Sequence, residues 1–266
     1  MTEPQRSAFV DERAELLENE KVGPRLHVMR VRSPRIARAL QPGQFAHVRI
    51  PGMEAHILRR PFSVYETFPD EGMLDILYQV VGFGTEQLAR LRPGDALCQI
   101  GPVGRPWDPP APGQSLLAVA GGAGAPATFM LVKEFARRGL PVDVVLGAQT
   151  GDALVTRERY AALLGKDPVC ATDDGSFGYA GFATEPASEL LRTGSYSRVI
   201  TCGPEPLMRK VAEAASSAGA TCQVSMERRM ACGVGACLSC VVETSGGKRR
   251  ACVDGPVFDA REVVWL

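Results

Sequence analysis

Hydrophobic and polar side chains alternate over short segments in the first part of the chain. From residue 44 to 50, the odd-numbered side chains between Phe45 and Arg49 fall on one side of a strand, and the even-numbered ones between Ala46 and Ile50 on the other. Pro-Gly pairs separate the segments, as turns require. The other elements predicted here are strands at 73–81 and 97–100 and a short helix at 85–91. Many short strands joined by such turns predict a closed β-barrel over about residues 8–110.

The hydrophobic period changes at about residue 114. Short buried strands now alternate with amphipathic helices, which indicates a parallel sheet built from βαβ units. The predicted strands are 116–120, 142–146, 169–171 and 198–201. The predicted helices are one ending at 138, and those at 156–164, 185–191 and 205–218. We therefore divide the chain into a barrel domain (1–112), an α/β domain (113–221) and a small cysteine-rich subdomain with short strands (222–266).

Composition excludes several classes of protein. A length of 266 residues suggests two domains with a small addition. The 30 basic residues balance 30 acidic ones, so nothing indicates a nucleic-acid partner. Residues 1–21 are polar and lack the apolar core of a signal peptide, and glycines and a proline interrupt the longest apolar stretch, 116–132. We expect a soluble, cytoplasmic protein.

The most specific motif is a cluster of cysteines near the carboxyl end. Cys232, Cys237 and Cys240 follow the spacing C-x4-C-x2-C, and Cys252 comes 11 residues after the third. This spacing is typical of plant-type [2Fe–2S] proteins, in which four thiolates hold the cluster. Only small side chains separate the first two cysteines, so that backbone N–H groups can approach the sulfurs. The fourth cysteine is closer than in plant-type ferredoxins.

Two other interpretations of these cysteines stay open at this point. A structural zinc site usually combines two C-x2-C pairs or a C-x2-C pair with histidines, whereas this chain has one such pair and three distant histidines. The cysteines could also be unligated. The remaining Cys98, Cys170 and Cys222 are most simply small buried hydrophobic residues.

A glycine-rich turn follows the first strand of the α/β half. Residues 120–126 read AGGAGAP and open a helix, where bare backbone and the helix N-terminus favour a pyrophosphate. Residues 172–178 and 201–206 follow two other strands, at the edge where open α/β sheets bind ligands. Together they predict a dinucleotide site, although each turn also suits ordinary helix capping.

The barrel half contains a short basic segment, residues 59–65 (RRPFSVY), and a turn at 82–85 (GFGT). Arg60 can pair with a pyrophosphate, and Ser63 can hydrogen-bond a flavin ring. Considered alone, the segment is equally compatible with a solvated basic turn beside a strand.

These motifs together resemble a known family. Barrel followed by nucleotide domain resembles the ferredoxin–NADP reductase superfamily, in which the barrel is an antiparallel Greek key. The motifs "RRPFSVY", "VGFGTEQL", "GPVGRPW", "ATDDGSFGYAG", "CGPEPLM", "MERRMACGVGACLSC" and "ACVDGPVF" resemble, more narrowly, the electron-transfer subunits of NAD-dependent dihydroorotate dehydrogenase. The resemblance covers nearly the whole chain, and the cysteine segment is its most specific part.

The resemblance implies three cofactors and the residues that bind them. On the FAD side these are Arg60, Pro61, Phe62, Ser63, Tyr78, Val80, Gly82, Gly84 and Thr85. On the nicotinamide side they are Gly121, Gly122, Gly124, Cys202, Gly203 and Pro204. The [2Fe–2S] ligands are Cys232, Cys237, Cys240 and Cys252. The family's glycine run is usually longer than the one here. Residues 147–149 offer no arginine for the extra phosphate of NADP, which favours NAD.

The resemblance also implies a function. A partner subunit with FMN would oxidise dihydroorotate to orotate, and electrons would pass through the cluster and FAD of this chain to NAD+, within an assembly of two catalytic and two electron-transfer subunits. This chain would then need no catalytic acid or base. Related subunits serve sulfide dehydrogenases, hydrogenases and bifurcating transhydrogenases, so these partners are alternatives. A zinc-stabilised nucleotide-binding regulator without turnover is an alternative of another class.

Overall fold

The computed structural model describes residues 9–53, 55–56 and 58–265. Part of the polar amino-terminal segment, residues 1–8, lies outside this range. The described chain forms two seven-stranded sheets and one hairpin. Within the described ranges, no helix is both long and apolar enough to cross a membrane.

The first half forms a curled antiparallel sheet. Its strands are β1 (Val10–Gly23), β2 (Leu26–Arg32), β3 (Phe45–Arg49), β4 (Arg60–Ser63), β5 (Glu66–Phe68), β6 (Met73–Gln79) and β7 (Ala96–Val103). Its two short helices are α1 (Pro34–Ala39) and α2 (Phe83–Leu88). The strands lie in the order β4-β3-β7-β1-β2-β6-β5, and the sheet curls until β4 packs on β6. Across this contact the ring centroids of Phe62 and Tyr78 are 5.9 Å apart. The closed antiparallel sheet is the predicted Greek-key barrel.

Strand β3 shows how the predicted alternation is used. Ala46, Val48 and Ile50 point into the barrel and belong to its hydrophobic core. Phe45 and His47 point outward, yet both are buried, because the C-terminal part of the chain packs on this outer face. Both faces of the strand are therefore covered.

Helix α2 begins two residues earlier than the predicted range 85–91. The Thr85 hydroxyl accepts hydrogen bonds from the N–H groups of Val81 (2.9 Å) and Gly82 (3.2 Å), and it donates one to the Gly82 carbonyl (3.0 Å). Thr85 therefore closes the turn from the third helical position, and the helix starts at Phe83.

The second half is an α/β domain. Its strands are β8 (Leu116–Gly121), β9 (Val142–Ala148), β10 (Val169–Thr172), β11 (Tyr179–Ala180), β12 (Arg198–Cys202) and β13 (Thr221–Ser225). Its helices are α3 (Ala125–Arg137), α4 (Arg157–Leu164), α5 (Thr184–Thr193) and α6 (Glu205–Ser217). The main strands are parallel in the order β10-β9-β8-β12-β13. The predicted strands and helices of this half are present within a few residues.

The C-terminal segment adds the hairpin β14 (Val241–Thr244) and β15 (Gly247–Arg250), followed by β16 (Val257–Asp259). Strand β16 pairs antiparallel with β13, so it extends the α/β sheet. Strand β13 itself crosses the predicted boundary at residue 221 and pairs with β12. The division into 113–221 and 222–266 remains a prediction, and in this fold the sheet continues past it.

The barrel and the α/β domain meet at a buried network of charges. Asp75 accepts hydrogen bonds from Arg30 (2.8 and 3.0 Å) and from Arg159 of α4 (3.1 Å). Glu66 is paired with Arg159 (2.7 Å) and with Lys133 of α3. Asp75 is 1% exposed and Glu66 8%, so that each carboxylate depends on these cations.

Two of the three scattered cysteines lie where the sequence predicted. Cys170 and Cys222 are buried, but Cys98 is exposed, which corrects the expectation for that residue. Strand β7 alternates there, with Leu97 and Gln99 inward and Cys98 outward between Arg13 and Arg49 of the neighbouring strands. A lone Cys on a strand gives no signal of which face it occupies.

Candidate functional site

Two segments of the barrel come together at the position predicted for FAD. The guanidinium of Arg60, at the start of β4, lies over Gly84 in the first turn of α2. A Cβ at residue 84 would lie 3.1 Å from Arg60 Nε, so glycine permits this contact. Arg60 Nη1 also donates to the Leu58 carbonyl. A cation therefore lies beside the N–H groups of residues 83–85, while the Gly82 N–H is taken by the Thr85 hydroxyl. This combination suits a pyrophosphate.

The remaining residues predicted for FAD lie next to this place. Pro61, Phe62 and Ser63 are partly exposed along β4. Tyr78 is different, because its ring is buried between His27 and Phe62 and its hydroxyl donates to Asn19 Oδ1 at 2.8 Å. The Tyr78 side chain belongs to the barrel core, and only its backbone can face a ligand.

The backbone of Val80 is hydrogen-bonded to Arg25, which lies in the turn between β1 and β2. Its N–H donates to the Arg25 carbonyl at 2.7 Å, and its carbonyl accepts from Arg25 Nε at 2.6 Å. These bonds position the strand end that leads into the turn at Gly82.

The predicted nicotinamide residues meet where the α/β sheet reverses its strand order. Strands β8 and β12 are neighbours there, and the turns that follow them are in backbone contact. A Cβ at Gly124 would lie 2.6 Å from the Cys202 carbonyl oxygen, and one at Gly203 would lie 3.0 Å from the Gly121 nitrogen. Open α/β sheets bind ligands at such a reversal. The close approach of the two turns is enough to require glycine at residues 124 and 203, with or without a ligand.

Gly122 has no such packing reason. Its φ is +54°, and a Cβ there would meet nothing within 4 Å. The space above Gly122 is therefore open, as a ligand site requires. The turn of Gly122–Gly124 also lies beside strand β6 of the barrel, so that the nicotinamide and flavin candidates are adjacent.

Three aromatic side chains near this edge were not singled out from the sequence. Phe177, Tyr179 and Phe182 are 39%, 47% and 60% exposed on the segment after β10 that contains the short strand β11. The Thr172 hydroxyl shapes this loop, since it accepts from the Phe177 N–H (3.0 Å) and donates to its carbonyl (2.8 Å). Their recurrence every two or three positions in a polar segment is the sequence pattern that could have identified them.

The four predicted ligand cysteines lie together as two pairs. The thiol of Cys232 lies beside that of Cys237, and the thiol of Cys252 lies beside that of Cys240. The loop between the first two has glycines with φ of +71° (Gly233) and +84° (Gly235). These conformations turn N–H groups inward, as the short side chains of the loop predicted.

The backbone of this loop stabilises a thiolate. Burial alone would raise the pKa of Cys232, but the N–H groups of Val234, Cys237 and Ala236 and the Cys237 side chain lower it to about 6. The Val234 nitrogen is 3.4 Å from Cys232 Sγ. For Cys252, burial and then the Cys240 side chain raise the pKa to about 12. One sulfur is thus prepared as a thiolate, and a second needs a positive partner to ionise.

This pairing fits a dinuclear cluster better than a single metal ion. Within the part of the chain that is described, no three His, Cys, Asp or Glu side chains converge to hold one ion. A structural zinc would need four ligands on one point. A [2Fe–2S] cluster takes four thiolates over two irons, and two pairs of thiols, with backbone N–H groups directed at the sulfurs, match that demand.

Solved structures of reductases share this fold. The chain superposes on an NADH-dependent reduced ferredoxin–NADP oxidoreductase, described for flavin-based electron bifurcation, with a TM-score of 0.86 and 29% identity over 94% of this chain and 89% of that one. The ferredoxin reductase of carbazole 1,9a-dioxygenase gives a TM-score of 0.67 at 20% identity, over 82% of this chain and 68% of that one, and shows the fold alone. The fold defines an oxidoreductase of the ferredoxin-reductase type.

Relatives with known names narrow the class. Residues 227–264 match the family described as the iron-sulfur cluster binding domain of dihydroorotate dehydrogenase B. The chain is 38% identical over 256 residues to the dihydroorotate dehydrogenase B (NAD(+)) electron transfer subunit of Desulforamulus reducens, 95% of this chain and 97% of that protein. It is 40% identical to that of Bacillus caldolyticus, over 84% and 87%. The chain belongs to the family of dihydroorotate dehydrogenase B electron transfer subunits, which confirms the resemblance and favours an oxidoreductase over a zinc-stabilised regulator.

Proposed function

We propose that this chain carries electrons between a catalytic dehydrogenase subunit and NAD+ through a [2Fe–2S] cluster and FAD. The observation that carries the proposal is the convergence of three candidate sites. The segment 232–240, here called the thiol loop, packs on the outer face of β3. Strand β3 is paired with the Arg60–Ser63 strand, and the Gly122–Gly124 turn lies beside β6. Three redox partners held this way would lie in series.

Each group has a candidate set of residues. The Arg60 guanidinium and the N–H groups of residues 83–85, in the turn that Gly82 and Thr85 shape, would hold the FAD pyrophosphate. Pro61–Ser63 and the backbone of Tyr78 and Val80 would line the flavin. Cys232, Cys237, Cys240 and Cys252 would hold the cluster. Gly121, Gly122, Gly124 and the Cys202–Pro204 turn would take NAD(H).

The overall reaction balances without a catalytic acid or base in this chain. Dihydroorotate and NAD+ give orotate, NADH and one proton, with two electrons passing through the chain. When bound, a flavin exchanges electrons singly or in pairs and an iron–sulfur cluster exchanges one, so the two connect single-electron transfer with hydride transfer. The residues of this chain bind, orient and screen these groups.

The proposal extends to the assembly. The family name implies a catalytic partner, and we take this to be an FMN-containing dihydroorotate dehydrogenase in a 2+2 heterotetramer in the cytoplasm. Val234 and Leu238, 42% and 63% exposed on the thiol loop, give that partner an apolar contact beside the cluster.

Purification from the native cell tests the proposal. We expect about one FAD, two irons and two sulfides per chain, together with a co-purifying FMN protein that reduces NAD+ when dihydroorotate is added. Zinc in place of iron, with no visible absorbance in anaerobic material, would rule out the redox role.

One alternative has its own observation. The bifurcating ferredoxin–NADP oxidoreductase covers 94% of the chain at 29% identity, lower than the 38% and 40% of the dihydroorotate family. If the co-purifying subunit lacks FMN and dihydroorotate gives no NADH, electron transfer in a bifurcating transhydrogenase-type complex would be the better proposal.

Gly122→Ala tests the nicotinamide site. A methyl group would enter the open space above the turn, so we expect the KM for NADH in dye reduction to rise about tenfold, equivalent to about 1.4 kcal/mol of binding. Gly139→Ala is the matched control, because Gly139 also has a positive φ (+66°) and open space but lies after α3, at the opposite edge of the sheet. Equal KM values for the two variants would argue against NADH binding at Gly122.

A further inference from the structure

One buried histidine lies between the flavin strand and the thiol loop. His47 pairs through its backbone with Pro61 of β4 and Ile100 of β7, and its side chain is 0% exposed. Its neighbour on the same face, Phe45, packs in one cluster with Cys240 and Cys252. The outer face of β3 is therefore the floor on which the thiol loop rests.

The imidazole touches the loop directly. A Cβ at Gly233 would lie 2.4 Å from His47 Nδ1 and 3.2 Å from Cε1, so that only glycine fits there. Gly233 follows Cys232, the cysteine with the lowered pKa. The ring therefore contacts the backbone beside one predicted ligand and belongs to a strand of the flavin barrel.

The polar atoms of this ring are not used elsewhere. Both ring nitrogens are buried without a hydrogen bond of normal geometry to any described residue. Backbone groups of Arg59 and Cys232 lie next to the ring. An imidazole has at least one N–H to donate, and buried polar groups without partners are rare in folded proteins.

We propose that His47 is a positioning residue that holds the Cys232–Gly233 backbone against the flavin strand and so fixes the thiol loop for its cluster. The inference rests on the proposed function. The ring lies between the backbone of Arg59 on one side and that of Cys232 on the other. A small shift of the loop around a cluster would complete a hydrogen bond from the imidazole N–H to the Cys232 side. His47 acts through the backbone and not as a ligand.

Three substitutions at residue 47 separate a polar role from packing. His47→Asn and His47→Gln place an amide near Nδ1 or Nε2, and His47→Leu keeps an apolar side chain of similar size without a donor. His27→Leu is the matched control, because His27 also has a buried ring nitrogen without a partner, Nδ1, but lies on β2 between β1 and β6. Each full-length protein is loaded anaerobically, and cluster loss to an iron chelator is followed by the visible absorbance, with FAD content and the EPR spectrum of the reduced cluster.

We expect His47→Leu to lose its cluster at least tenfold faster and to show a broadened EPR signal with FAD retained. One of the two amide variants should return the rate to within about threefold of the wild type, and His27→Leu should lose its cluster at the wild-type rate. A wild-type rate and spectrum in His47→Leu, or equal acceleration in all four variants, would overturn the proposal.

Gly233→Ala tests the same contact from the loop if His47→Leu does not fold. A methyl group there must displace the imidazole, so we expect rapid cluster loss with FAD retained; a stable cluster with an unchanged spectrum would overturn the proposal. Failure of the proposed function is separate, since it would show as wild-type protein that holds no iron or sulfide.

Discussion

Replacing Cys237 by serine is expected to abolish the [2Fe–2S] cluster while FAD stays bound. Cys237 is paired with Cys232 and contributes to the hydrogen bonds that lower the pKa of that thiol to about 6. The serine hydroxyl is not ionised at neutral pH, so one iron would lose one of its two cysteine ligands. Iron and sulfide should fall below about a tenth of the wild-type content, and dihydroorotate-dependent NAD+ reduction should be lost with them.

Two further measurements make this result specific. NADH-to-dye reduction, which requires only the flavin and nicotinamide sites, should continue in Cys237→Ser. Cys98→Ser is the matched control, because Cys98 is an exposed cysteine on β7, outside the thiol loop, and should keep full iron. Unchanged iron in Cys237→Ser would contradict the assignment of Cys237 as a ligand.

Replacing Arg60 by alanine is expected to weaken FAD binding about 100-fold. The Arg60 guanidinium lies over the first turn of α2, where a pyrophosphate would also meet the N–H groups of that turn. Hydrogen bonds to a charged group contribute about 1.5–3 kcal/mol, and about 2.7 kcal/mol corresponds to 100-fold. Fluorescence titration of the flavin-free protein with FAD measures the change in Kd.

Two arginine variants complete this test. Arg60→Lys keeps the charge but loses the planar fork, so its Kd should lie between those of the wild type and Arg60→Ala. Arg32→Ala removes an exposed arginine of the same barrel, which pairs only loosely with Glu15 at 3.4 Å, and should leave Kd unchanged. Equal Kd values for Arg60→Ala and Arg32→Ala would show that Arg60 does not bind the FAD pyrophosphate.

Periodicity alone predicted the α/β half and part of the barrel. The strand around Phe45 and the alternating strands and helices from residue 116 to 217 are present close to their predicted limits. Local patterns succeed there because each element buries at least one face within its own domain. The cysteine spacing likewise predicted which four thiols would lie together, since three of them fall within nine residues.

Features that depend on contacts between distant segments could not be predicted. Strand β13 joins the α/β sheet by pairing with β12, and β16, more than thirty residues later, extends the sheet by pairing with β13. Tyr78 was assigned to the flavin side by resemblance, but its hydroxyl is satisfied by Asn19 inside the barrel. His47 resembles any residue of an alternating strand until the thiol loop is seen to cover it.

The charges between the two large domains make their separation costly. Glu66 belongs to the barrel, yet both of its cations, Lys133 and Arg159, come from the α/β domain. A barrel produced by ending the chain near residue 112 would lack both counter-ions and leave Glu66 across from Asp75, a second carboxylate. Because these ion pairs join the two domains, we expect any movement that admits a nicotinamide ring to occur in the loops and not at this interface.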